Sequence, residues 1–209
     1  SYSDAQVGRI LDALEAGPNA DNTVVVLWSD HGYHLGEKQH WHKFVQWERS
    51  TRVPLIVRVP GTTKAGSRCG RPVSLVDLYP TLADLCQLPA KPGLDGRSIV
   101  PLLKNPRAKW PFPVVCIQEP GNCAVRSENW RYIRYSDGGE ELYDHSSDPD
   151  EWTNLAAGAE YRAVIADHAR WVPKVFAPPT PSKGEYRFDP KAFTWTNKKT
   201  GKITRVQNK

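Results

Sequence analysis

The stretch "TVVVLWSDHGYHLGEKQHWHK", Thr23 to Lys43, decides the reading of this chain. Its first six residues are apolar or β-branched, the pattern of a central parallel strand covered on both faces. Asp30 and His31 follow almost at once, and Gly32 permits the backbone to turn. In open α/β sheets, loops at the carboxyl ends of the strands carry functional side chains. Asp30 and His31 occupy that position. A carboxylate with an imidazole is a partial ligand set for a cation, although two ligands alone cannot close a site. The competing reading is structural: an Asp that caps the following turn and a His that packs. A zinc site made of His34, His40 and His42 lacks a familiar ligand spacing.

Outward from this stretch the pattern alternates. Ser3 to Glu15 places Val7, Ile10, Leu11 and Leu14 at helical spacing, with Asp4 in the first turn and Gly17-Pro18 as a stop. Val53 to Val59 predicts a second strand of the same kind, reached through a long polar loop. Ser74 to Cys86 is helical in pattern despite Pro80, and Asp95 to Leu103 reads as a loop leading into a short helix. Helix, strand, loop, strand and helix is the rhythm of an α/β sheet with helices on its faces. After Pro111 the rhythm changes to short strands, "PVVCIQE", "CAVRSE", "WRYIRYS" and "EELYD". Asp137-Gly138-Gly139 makes a hairpin turn between the last two. A final helix, Tyr161 to Val172, turns Val164, Ile165, His168 and Trp171 toward that sheet.

This divides the chain into 1–110, an α/β core with the site loop; 111–175, a small antiparallel subdomain with a final helix; and 176–209, a basic Pro/Lys-rich tail. The tail has no assigned fold beyond a turn at "NKKTGK". From Lys174 onward there are nine Lys or Arg against Glu185 and Asp189, which exceeds the whole-chain excess of +5, so the body is near neutral. Such a tail can attract an acidic glycan or nucleic acid by counterion release. A solvated terminus is the simpler reading, and neither a nucleic-acid nor a membrane partner is expected. No apolar run reaches the roughly 20 residues of a spanning helix. Cys69, Cys86, Cys116 and Cys123 form no C-x-x-C pair, which leaves their redox state open. The chain has no Met and opens on Ser1, which suggests a fragment.

"SDHGYHLGEKQHWHKFVQWERSTRVPLIVRVPG", Ser29 to Gly61, resembles the C-terminal metal-site segment of sulfatases in the alkaline-phosphatase-like superfamily, nearest to the iduronate-2-sulfatase branch. "SLVDLYPTLADLCQLP", "LDGRSIVPLL" and "AVRSENWRYIRYSDGGEELYDHSSDPDEWTNLA" resemble the segments that follow it. The resemblance runs from Ser1 to about Val172. It implies the C-terminal part of an alkaline-phosphatase-like sandwich, a mostly parallel sheet with flanking helices, plus a small antiparallel α+β subdomain. It also implies hydrolysis of a sulfate ester on a sugar or glycan, by a formylglycine beside a bound calcium. Asp30 and His31 would be calcium ligands, Lys43 the catalytic lysine on the sulfate and its bridging oxygen, and Tyr33 a substrate-facing residue. A periplasmic, extracellular or lysosome-like setting follows from the same resemblance. Trp41 and Trp47 are expected to form loop core, and Arg52 an ordinary ion pair.

The departures from the pattern matter as much. The nearest approach to the formylglycine motif C/S-x-P-x-R is Ser147-Asp148-Pro149-Asp150-Glu151, with Glu where Arg is required. The nucleophile and about half the cation site are missing, so the chain by itself is not expected to hydrolyse sulfate esters. An N-terminal sulfatase portion, in the same or an associated chain, is the expected partner. The alternatives are a phosphoester or phosphonate hydrolase of the same superfamily, and a non-catalytic glycan-binding remnant.

Overall fold

The computed structural model describes residues 1–177 and 185–205, in two compact units, Ser1–Lys174 and Val175–Lys209. Within the first, helix α1 (Tyr2–Glu15) starts at Ser1, whose hydroxyl accepts from the Asp4 N–H at 3.4 Å. Strand β1 (Val25–Trp28) leads into a tight hairpin of β2 (His34–Leu35) and β3 (Trp41–His42). A one-turn helix α2 (Glu48–Thr51) and strand β4 (Leu55–Arg58) follow. Helices α3 (Leu78–Leu85) and α4 (Val100–Lys104) complete this half. The 3-10 turn Leu75–Asp77 that leads into α3 has a reciprocal cap between Ser74 and Asp77; the Asp77 carboxylate accepts from the Ser74 N–H and also from the Arg97 N–H, both at 2.8 Å.

The two apolar strands pair, but in the opposite sense to the parallel arrangement expected for them. β1 and β4 are antiparallel, with Val25 opposite Arg58 and Trp28 opposite Leu55. A parallel pair needs a crossover that carries the chain back to the starting edge. Here residues 29–54 stay at the carboxyl end of β1, where the Gly32 N–H donates to Ser50 O at 2.9 Å, and β4 starts from that end. Nor are both faces covered, since Trp28 and Ile56 are 52% and 62% exposed.

The second half is an antiparallel sheet in the order β5 (Val114–Glu119), β6 (Asn122–Arg126), β7 (Trp130–Arg134) and β8 (Glu140–Asp144). The Asp137-Gly138-Gly139 turn forms as expected, with Gly138 at φ 90°. Alternation along the strands sorts the side chains onto two faces. Val125, Tyr132 and Leu142 pack against helix α5 (Arg162–Ala169), burying Ile165 and His168. Ala124, Ile133 and Tyr143 face the other way, where Trp47 packs on them. By the same register Arg126, Arg131 and Glu141 share this second face. The sheet is thus a platform with α5 on one side and the site loop on the other.

The unit from Val175 onward carries a three-stranded meander, β9 (Tyr186–Asp189), β10 (Thr194–Asn197) and β11 (Ile203–Arg205). The rings of Phe188 and Trp195 lie 4.6 Å apart on it. The "NKKTGK" turn closes through Asn197, whose Oδ1 accepts from the Lys199 and Thr200 N–H groups. Residues 178–184 and 206–209 of the expected tail lie outside the described residues. Among the described residues no helix is long and apolar enough to cross a membrane, and none of the four cysteines is paired.

Candidate active site

Beyond Trp28 the chain tightens into a turn built by its own polar atoms. The Ser29 hydroxyl donates to His31 O at 2.9 Å, and Asp30 Oδ1 accepts from the His31 N–H at 3.0 Å. His31 Nδ1 lies 2.8 Å from Gly32 O. A carbonyl can only accept, so Nδ1 carries the ring proton and Nε2 presents a lone pair. That lone pair faces Asp30 Oδ2 at 3.5 Å and Lys43 Nζ at 2.5 Å, the ammonium donating to it. The Asp30 side chain is 83% exposed and that of His31 36%, so the pair opens to solvent.

The β2–β3 hairpin brings Lys43 back to His31, twelve positions earlier in the chain. His34 stands opposite His42 and Leu35 opposite Trp41. Lys38, Gln39, His42 and Phe44 all have positive φ, a crowded backbone for residues with side chains. The hairpin is held from beneath. His34 is buried, its Nδ1–H on Glu37 O, and burial pushes its pKa down. Its ring and that of His40 both pack edge-on to Trp47. Lys38 Nζ lies over the Trp47 and Tyr143 rings and donates to Tyr143 Oη at 3.1 Å and to the carbonyl of Glu151. Trp47 Nε1 donates to Glu141 Oε2 at 2.7 Å.

Beneath α2 lies a buried ionic cluster that sequence reading missed. Glu48 pairs with Arg126 at 3.3 Å and with Arg131. Glu151, 1% exposed, takes the N–H of Glu48 on Oε2 at 2.8 Å. Its Oε1 takes His145 Nε2 at 2.8 Å and lies 2.5 Å from Arg131 Nε. The Arg131 contact is Coulombic, because that N–H is not aligned as a hydrogen bond. Burial alone would raise the Glu48 pKa, but Arg131 and Arg126 outweigh it and leave the carboxyl below its ordinary range. Glu48, His145 and Glu151 offer donors within 4.8 Å of one another. Two guanidiniums already neutralise those carboxylates, which makes the cluster an ion-pair core rather than a metal centre.

The structure thus brings Asp30, His31 and Lys43 together, while Tyr33 packs against His42, the residue before Lys43. Tyr33 is 47% exposed, its ring 5.4 Å from that of His42. Trp47 is loop core as expected, whereas Trp41 is 67% exposed and is not. Its place opposite Leu35 in a two-residue ladder leaves nothing to cover it. Arg52 forms no ion pair among the described residues, contrary to expectation, whereas Arg49 pairs with Asp150 and Arg126 and Arg131 with Glu48. Ser147 to Glu151, the near miss to the nucleophile motif, is a turn after β8 that delivers Glu151 to the ionic cluster.

Residues 1–88 match the family model described as Sulfatase. A sulfatase from Formosa agariphila is 39% identical over 91% of this chain and 37% of its own. Human arylsulfatase K is 37% identical over 74% of this chain and 31% of its own. This chain therefore spans about a third of the length of these curated relatives. Among solved structures, a protein in complex with its substrate D-glucosamine-2-N,6-O-disulfate superposes with a TM-score of 0.68 at 29% identity, over 80% of this chain and 36% of that one. Sequence and fold agree: the first 88 residues match the sulfatase family model, and the chain is similar to sulfatases over most of its length.

Proposed function

We propose that this chain supplies the cation-and-lysine side of a sulfuric ester hydrolase acting on a sulfated sugar. One observation carries the proposal: His31 Nδ1–H is fixed on Gly32 O, so that Nε2 is held as an acceptor beside the Asp30 carboxylate and Lys43. A histidine that ligates a metal is commonly set in this way, its other ring N–H on a carbonyl. Asp30 Oδ2 and His31 Nε2 are near enough to share one ion, and a carboxylate with an imidazole suits a divalent cation such as calcium. Bound there, the ion would supply positive charge to the sulfate oxygens.

The residues of this chain then act as follows. Asp30 and His31 would hold the cation, which would supply positive charge there. With the His31 Nε2 lone pair so engaged, the Lys43 ammonium would be free to donate to the bridging oxygen as the alkoxide departs. Tyr33 offers an exposed ring at the rim for a sugar face. The remaining ligands and the formylglycine nucleophile belong to the rest of a sulfatase. The iduronate-2-sulfatase type rests on the resemblance of Ser29 to Gly61, and a sugar substrate is favoured by the disulfated glucosamine bound by the structural neighbour.

The test is to express the chain with its upstream coding sequence and a formylglycine-generating system, then measure sulfate release from aryl sulfates and uronate-2-sulfates. Lys43→Ala and Asp30→Ala should each lower turnover by about 100-fold or more. Unchanged turnover in either variant would refute its assigned role. Turnover of phosphate or phosphonate monoesters alone would replace the sulfatase reading with the phosphoester one.

A further inference from the structure

We propose that Glu151 is the positioning residue of this site, setting the geometry between the Asp30–His31 turn and Lys43; the inference rests on the assignment of those three residues to the site. Glu151 grips both halves of the loop. Its carboxylate takes the first N–H of α2, that of Glu48, at 2.8 Å, and its carbonyl takes the ammonium of Lys38 from the hairpin.

Each grip leads on to the site. From α2 the path is backbone: Ser50 O accepts the Gly32 N–H at 2.9 Å, and a β-carbon on Gly32 would lie 2.0 Å from Arg49 O and 3.0 Å from Arg52 O. Gly32 is in turn the residue whose carbonyl fixes the His31 ring. From Lys38 the path is the hairpin, whose second strand ends one residue before Lys43.

Glu151 itself is over-determined. It is buried and charged, and it sits at φ 62°, a left-handed conformation that a residue with a side chain adopts at a cost. Arg131 balances its charge from below, and the His145 Nε2 hydrogen-bonds its Oε1 at 2.8 Å. Arg126 Nη2 lies 3.1 Å from His145 Nδ1 and can only donate, which puts the His145 proton on Nε2, toward Glu151. A fully partnered carboxylate on a strained backbone is suited to holding two separate pieces of the loop in one register.

The test has an arm that needs no turnover. In the 209-residue chain, amide hydrogen exchange is followed by NMR for Glu151→Gln and Lys38→Met. Glu151→Gln should speed exchange at Gly32 by about tenfold or more, while Val125, Ile133 and Leu142 in the sheet keep their rates. Lys38→Met should speed Gly36, whose N–H bonds His40 O across the hairpin, and leave Gly32 unchanged. Equal acceleration in sheet and loop, or no change at Gly32, would overturn the proposal and leave Glu151 a plain stability residue. In the second arm, the protein with its upstream sequence should lose about tenfold in kcat on Glu151→Gln with KM nearly constant. A rise in KM alone would count against positioning. A parent protein without sulfatase activity would refute the sulfatase reading, while the exchange arm would still decide the role of Glu151.

Discussion

A β-carbon added at Gly32 would meet the Arg49 carbonyl oxygen at 2.0 Å, so this glycine is required by the close approach of α2 and not by a turn that needs positive φ. Gly32→Ala should therefore cost about 3 kcal/mol in urea unfolding, because a backbone contact must open. Gly8→Ala, in α1 with nothing within 4 Å of the added carbon, should instead stabilise by about 0.5–1 kcal/mol through helix propensity. Equal effects at the two glycines would refute the contact argument. At this scale the sequence was informative where residues sit in one short motif. Asp30, His31 and Lys43 fall within fourteen positions, and the structure does assemble them. Glu151 lies 103 positions from its partner Glu48. Read along the chain, it is only the wrong letter in a nucleophile motif.

At the scale of elements, the strands of the β5–β8 sheet were legible because each pairs with its sequence neighbour through a short turn. The β2–β3 hairpin was not, since two-residue strands contain no alternation to detect, and its turn rests on positive-φ Lys38 and Gln39 rather than on Asn-Gly. The direction of β1 against β4 was also hidden, because an apolar run looks the same whichever way its partner runs. What seats α2 on the sheet is charge. The folded-state pKa of Glu48 is depressed, so the stability it contributes is present above the unfolded value near pH 4.3 and is lost as pH falls through the folded value. The urea midpoint should accordingly drop between about pH 5 and pH 3. In Glu48→Gln, which should cost about 3 kcal/mol at pH 7 by leaving two guanidiniums under-paired, that acid-side drop should flatten. A variant with the parent's acid profile would show that another carboxylate governs it.

At the scale of the whole molecule, burial is uneven. The fully buried apolar side chains gather in β6, β7 and β8 and in α5, with Ile99, Val100 and Leu102 around α4, whereas α1 buries none and β1 ends in an exposed Trp28. Tyr79 and Leu82 on α3 are exposed as well. Helix α1 is amphipathic in sequence, so its apolar stripe has the form of a helix meant to be covered, and its curated relatives carry about twice as much sequence again outside the matched part. Protection from hydrogen exchange follows buried contacts and paired strands. In the 209-residue chain the amides of β6 to β8 should therefore be the slowest to exchange, and those of α1 faster by about 100-fold or more. In a protein that includes the upstream coding sequence, α1, β1 and β4 should slow markedly while β6 to β8 stay as they were. If α1 were already as protected as β7 in the shorter chain, the exposed stripe would not be an unfinished interface, and the chain would have to be regarded as complete in its packing.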